Sequence, residues 1–110
     1  MNQKQKFGRA GENFAAEILQ LSGYEILERN YRCKDGEIDI IAQRDGEIVF
    51  IEVKTRRGAA FGDPCEAVGR TKQQHMRKAA AVFLLEKRGC WDFCSFQVIE
   101  IGFHQIENAF

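Results

Sequence analysis

The sequence predicts an α/β fold: a mixed β-sheet, made of an antiparallel meander plus a parallel strand after a helical crossover, flanked by α-helices. Three observations predict it. Two short Ile- and Val-rich runs, Ile38–Ala42 and Ile48–Val53, are separated by Gln43-Arg44-Asp45-Gly46, and Asp-Gly between β-rich runs is a strong hairpin signal. Apolar residues at helical spacing precede this hairpin and recur after it. A further alternating apolar run, Phe96 to Ile101, follows the second helical stretch, so a crossover can bring it parallel to the hairpin's second strand.

The elements follow in order. Gln3 to Ser22 reads as a helix with one apolar stripe of Phe7, Ala10, Phe14, Ile18 and Leu21, stopped at Gly23. Glu12 lies off that stripe, about 120° from Ile18, among Gly8, Ala15, Ala16 and Leu19. Small residues there allow another element, or a phosphate backbone, to approach closely. Tyr24 to Tyr31 reads as the first strand, with Asp35-Gly36 turning into the hairpin. Thr55 to Gly62 is rich in Gly and basic residues and reads as a surface loop. Asp63-Pro64, with Glu66 three residues after Asp63, reads as the cap of a short helix that Gly69 ends. Thr71 to Lys87 reads as the second long helix, capped by Thr71, with Met76, Ala79, Ala80, Phe83 and Leu84 buried. Between Trp91 and Gly102 lie one or two strands, Phe96 and Val98 on one face, Ile99 and Ile101 on the other.

A chain of 110 residues, 45% hydrophobic and with nine Phe, makes a single domain, residues 1–110, around one core. The polar start, Met1 to Lys6, lacks the apolar centre of a signal peptide, and no stretch is long enough to span a bilayer, so a cytoplasmic protein without membrane contact is expected. Cys33, Cys65, Cys90 and Cys94 form no C-x-x-C pair, and His75 and His104 do not complete a zinc site, which leaves reduced thiols as the expected state. Net charge is zero. Its distribution is uneven: Lys54 to Arg88 holds nine basic residues against three acidic ones, and nothing after Arg88 is Lys or Arg. A neutral chain can still present a basic surface.

The hairpin carries the chemistry. If its loop is the two-residue turn Asp45-Gly46, paired residue numbers sum to 91 and Asp39 stands opposite Glu52. A one-residue change of register would put them on opposite faces. Opposed residues have Cβ atoms about 4.5–5.5 Å apart, and like charges there destabilise a sheet. Glu52 shares its face with the apolar Ile48 and Phe50 and with Lys54. Buried carboxylates need a reason. A divalent cation supplies one, since two hard oxygen ligands suit Mg²⁺. The plainer reading, a solvated strand face carrying an ion-pair network, stays open at this point.

Asp39, Glu52 and Lys54 form D-x(12)-E-x-K, which resembles the metal site of the PD-(D/E)XK nuclease superfamily. The resemblance extends to the YraN-like family of small bacterial proteins through Gly8–Glu12, Leu27–Arg32, Gly36–Ala42, Val49–Arg56, Phe61–Pro64 and Ile106–Phe110, nearly the whole chain. It implies a restriction-endonuclease-like fold, similar to Holliday-junction resolvases, and a first-helix Glu12 that faces the site. Where that family's last main strand has an Arg-Phe-Asp-type pattern, this chain has Ser95-Phe96-Gln97.

The implied activity is phosphodiester hydrolysis in DNA, branched DNA included, with RNA open as a substrate. Asp39, Glu52 and the Val53 carbonyl would hold Mg²⁺ or Mn²⁺. Lys54 would act on the water or the developing charge, and Glu12 would hold a water on the cation or a second cation. Arg56, Arg57, Lys72 and Arg77 would contact phosphates. Symmetric cutting of two strands would call for a homodimer. The alternative from another class is a non-catalytic nucleic-acid-binding module acting with a recombination or DNA-processing partner.

Overall fold

The computed structural model describes residues 1–58, 68–87 and 89–110. Its elements are α1 (Gln3–Leu21), β1 (Glu25–Cys33), β2 (Gly36–Arg44), β3 (Glu47–Arg57), α2 (Arg70–Glu86) and β4 (Phe93–Phe103). The four strands form one sheet in the order β1-β2-β3-β4. The first two pairings are antiparallel and β3–β4 is parallel, so the expected meander plus crossover strand is what the chain forms. The short helix expected over Asp63 to Gly69 falls largely outside the described residues.

The turn between β2 and β3 sets everything downstream. Asp45 and Gly46 have φ of 51° and 82°, and positive φ at both central residues is what a type I′ hairpin turn requires. The resulting ladder pairs Arg44 with Glu47, then each rung to Ile40 with Ile51. That is the register in which numbers sum to 91. The other turn differs from expectation. Cys33 pairs with Gly36, so the turn residues are Lys34 and Asp35, and Gly36 already belongs to β2. A Cβ at Gly36 would stand 2.7 Å from the His75 carbonyl oxygen of α2, so glycine is needed there for packing rather than for turning.

Among the described residues each sheet face carries one helix. Ile40, Ala42, Val49, Ile51 and Val53 pack with Ala15, Ala16 and Leu19 of α1. Ile38, Ile41, Ile48 and Phe50 pack with Ala79, Ala80 and Phe83 of α2. Burial of such aliphatic side chains contributes about 1.5–3 kcal/mol each, which makes β2 and β3 the hub of the fold.

The α1 stripe is a correction. Phe14, Ile18 and Leu21 are exposed, at 52%, 44% and 78%, and the helix turns its small-residue face, Gly11, Ala15, Ala16 and Leu19, to the sheet. Gly11 lies against the Thr55 side chain with no room for a Cβ. Backbone approach wins over side-chain size because the closer helix covers more of the sheet. Leu84, expected inside α2's buried face, is also exposed. At α1's start Asn2 and Gln5 form a reciprocal capping box. The N-cap of α2 is Gly69, not Thr71, and no side chain caps it. The loop expected from Thr55 onward starts later, since Thr55, Arg56 and Arg57 pair with Ile101, Gly102 and Phe103.

Candidate metal centre

One rung of the sheet is irregular, and both carboxylates lie beside it. Ile38 packs on the α2 side and Ile40 on the α1 side, although residues two apart in a strand normally share a face. β1 changes face at the matching place. Arg29 reaches Asn13 of α1, whereas Tyr31 packs with α2. Between them Asn30 takes φ of 52°, a left-handed conformation that Asn tolerates better than most residues. The β1–β2 register places Asn30 beside Asp39. At Asp39, β2 therefore rotates away from β3, and the β2–β3 ladder ends at Ile40–Ile51.

Asp39 fills the gap with its side chain. Its Oδ2 accepts a hydrogen bond from the Val53 N–H at 2.8 Å. β3 does not bend and continues to pair with β4. Glu52 thus stays in regular register on the α2 face, next to Asp39. Both carboxylates are buried, at 7% and 5% exposure, and they are the buried charged side chains among the described residues. The odd register required for the pair is the one observed.

Glu52 is incompletely compensated. Its Oε1 meets Lys72 Nζ at 3.3 Å and Lys54 Nζ at 4.0 Å. Its Oε2 is fully buried and has no hydrogen-bond partner among the described residues. Burial, then the Asp39 charge, raise the Glu52 pKa above its ordinary value, and Lys72 and Lys54 pull it back in part. Lys54 comes from β3 by simple alternation. Lys72 comes from the first turn of α2, which the Gly36–His75 contact brings down onto the sheet.

Glu12 reaches the same neighbourhood from α1. Burial and the Asp39 carboxylate push its pKa up, against the opposing Arg29 guanidinium. It lines an open cleft of about 410 Å³ with Arg9, Asn30, Arg32 and Glu37. Asp39, Glu52, Lys54 and the Val53 backbone thus meet on β2 and β3, and Glu12 faces the Asp39 side of that group from α1. Among the described residues no three His, Cys, Asp or Glu side chains converge on a single point, and the buried acids there are the pair Asp39 and Glu52.

The four residues expected on phosphates are scattered. Lys72 is engaged with Glu52, and Arg56 is paired with Glu100 on the neighbouring strand. Arg57 points to the α1 face, its guanidinium 5.7 Å from the Phe7 ring centroid. Arg77 lies over the Phe96 ring at 5.4 Å. Sequence reading missed a second basic group. Arg32, Lys34, Lys72, His75 and Lys78 line a basin of about 480 Å³ beside Glu37, where the β1–β2 turn meets α2. Its residues lie more than thirty positions apart, and only α2's docking at Gly36 joins them. No helix of the described residues is long and apolar enough to cross a membrane. Among the described residues Cys33, Cys90 and Cys94 form no disulfide.

Residues 11–101 match the family described as Uncharacterised protein family UPF0102. A UPF0102 protein of Caldicellulosiruptor saccharolyticus is 47% identical over 98 residues, covering 89% of this chain and 83% of the relative. One from Clostridium botulinum is 52% identical over 104 residues, covering 94% and 85%. One from Caldicellulosiruptor bescii is 55% identical over 84 residues, covering 76% and 70%.

Proposed function

The chain belongs to the UPF0102 family, and on the geometry of its buried carboxylates we propose that it is a divalent-metal-dependent endonuclease that hydrolyses phosphodiester bonds in DNA. The observation that carries this reading is Glu52 Oε2, a fully buried carboxylate oxygen without a partner among the described residues, beside a second buried carboxylate. A fold that buries two acids and leaves such an oxygen unmatched gives up stability, and functional sites are where that happens.

The donor set fits a hard cation. Asp39 keeps one oxygen beyond its bond to Val53, Glu52 offers Oε2, and the Val53 carbonyl comes directly after Glu52 in sequence. Mg²⁺ is commonly held by one or two carboxylates with water completing its shell, so a pair suffices. When bound, Mg²⁺ or Mn²⁺ would polarise a phosphoryl oxygen and make water a better nucleophile near neutral pH. The chain's own residues do the rest. Lys54, half-exposed at the rim, places an ammonium where charge builds on the phosphorus. Glu12, on the other wall, orients a water by hydrogen bonding. The basin of Arg32, Lys34, His75 and Lys78 seats backbone phosphates, which position a substrate without reading its sequence.

The test is incubation of labelled four-way-junction, flap, single-stranded and duplex DNA with Mg²⁺ or Mn²⁺ against chelator. Cleavage that requires metal and vanishes in Asp39→Asn is the expected result. DNA binding that is indifferent to metal and to Asp39, without cleavage, would instead make the chain a binding module that acts through a partner.

A further inference from the structure

A cleft of about 280 Å³ lies on the α2 side of β4, lined by Gln73, Met76, Arg77, Phe96, Gln97 and Val98. Small-molecule sites run from about 300 to 1,000 Å³, so this one suits a single ring system. Its floor is the Phe96 ring, 40% exposed on one face and stacked on buried Phe50 at 5.5 Å on the other. An aromatic platform held rigid from behind has already lost its side-chain entropy. Arg77 covers the open face, and it is an exposed side chain at the end of flexible bonds. The amide of Gln73 gives the wall a donor and an acceptor. Among the described residues none of the lining side chains is acidic.

The position is informative. Val98 is the parallel-strand partner of Glu52, and Phe96 of Phe50. Neighbouring strands lie about 4.8 Å apart, so the cleft opens within one nucleotide's reach of the carboxylate pair.

We infer that this cleft binds one unpaired nucleobase of the substrate, stacked on Phe96, and so selects DNA with a single-stranded arm next to the cleaved bond. The inference rests on the nuclease reading for its substrate, but its geometry is independent of the metal. Bases inside a duplex are stacked on each other and cannot present a face to Phe96 without being extruded. An unpaired base can. Stacking of this kind is tolerant of base identity. Arg77 swings from the ring to the base or to its phosphate.

The experiment measures binding of arm-bearing and fully paired DNA by anisotropy, in chelator and at constant ionic strength, so cleavage plays no part. Phe96→Leu keeps the bulk against Phe50 and removes the ring face. It is expected to weaken arm-bearing DNA roughly 5- to 100-fold and leave duplex binding unchanged. An abasic residue scanned along the arm should reproduce that loss at one position, and Phe96→Leu should cost nothing further on that DNA. Gln73→Leu, at an exposed position in the cleft wall, leaves the charge unchanged, should show the same selectivity and tests the inference even if Phe96→Leu folds poorly. Equal losses on duplex and arm, or no abasic position that matters, overturn it. So does a dimer that Phe96→Leu dissociates in sedimentation, since a second copy would then cover the ring. Metal-dependent cleavage with an indifferent cleft removes this inference alone. Arm-selective binding that depends on Phe96, without cleavage, removes the hydrolysis and keeps the cleft. Failure to bind any DNA overturns both.

Discussion

Asp39 stands in for a missing rung of the sheet: its carboxylate accepts the Val53 N–H at 2.8 Å where the β2–β3 ladder has stopped. The same side chain thus satisfies a buried backbone donor and brings a charge next to Glu52. These two duties can be separated. Asp39→Asn keeps an oxygen for the Val53 N–H and removes the charge. It is expected to fold with at least wild-type stability while losing metal-dependent cleavage. Asp39→Ala leaves the donor unpaired and should cost about 1–3 kcal/mol as well. Urea unfolding of both variants in chelator, beside cleavage assays, checks the split. An Asn variant as unstable as the Ala variant would refute it.

Glu52 makes the next prediction through pH. It is an acid whose pKa is raised in the folded state, first by burial and then by Asp39. Folding therefore favours its protonated form. The favourable contribution is present below the ordinary value of 4.5 and is lost as pH rises through the folded value. In chelator at neutral pH, Glu52→Gln should then be more stable than the wild type, and the gap should close as pH falls below 4.5. With Mg²⁺ present the order should reverse, because only the carboxylate gains from the cation. Denaturation midpoints across pH, with and without metal, give the answer. A Gln variant that is less stable at every pH would mean that the lysines already compensate Glu52.

How much of this was legible in the sequence depends on whether the cause was local. Asp45-Gly46 dictates a two-residue turn, the turn dictates the register, and the register sets Asp39 beside Glu52. Lys54 follows by alternation. The break at Asn30 and Asp39 is not local in that sense. Asn30 sits in a run that reads as an ordinary strand, and only the paired strand shows that both change face together. The face of α1 was misread because size was taken as the guide. Phe14, Ile18 and Leu21 make the stronger stripe, but Gly11, Ala15 and Ala16 permit the closer contact. Lys72 reads in the sequence as a phosphate contact on a basic helix. Its pairing with Glu52 depends on how far α2 slides along the sheet, which no periodicity in α2 encodes.

Lys72 and Lys54 contact the same Glu52 oxygen, at 3.3 and 4.0 Å, yet they should behave differently on substitution. Lys72 is the nearer and competes with a cation for the carboxylate. Lys72→Met should tighten Mg²⁺ binding and lower stability in chelator. Lys54 is at the rim, where a phosphate would arrive. Lys54→Met should leave substrate KM nearly unchanged and lower kcat by about 10²–10³-fold, the usual loss on removing one group that stabilises transition-state charge. Calorimetric metal titration and steady-state kinetics on the two variants separate the roles. Equal effects on kcat from both would show that the pair works as one unit.

The placement of Lys72 leads back to Gly36, the residue that lets α2 settle. A Cβ there would meet the His75 carbonyl at 2.7 Å, and backbone oxygen on a helix cannot swing aside as a side chain can. Gly36→Ala should therefore lift the N-terminal half of α2. Overpacking of this kind costs about 1–3 kcal/mol. The relief must come from movement of the turn that carries Lys72 and His75, and with it the Lys72–Glu52 ion pair at 3.3 Å. Thermal unfolding should show the lost stability. Metal titration should show the second effect, tighter Mg²⁺ binding as in Lys72→Met, because the competing ammonium has been drawn away. Lost stability with unchanged metal affinity would mean that the strand yields instead of the helix, and that Lys72 is held at Glu52 by its own charge rather than by the docking of α2.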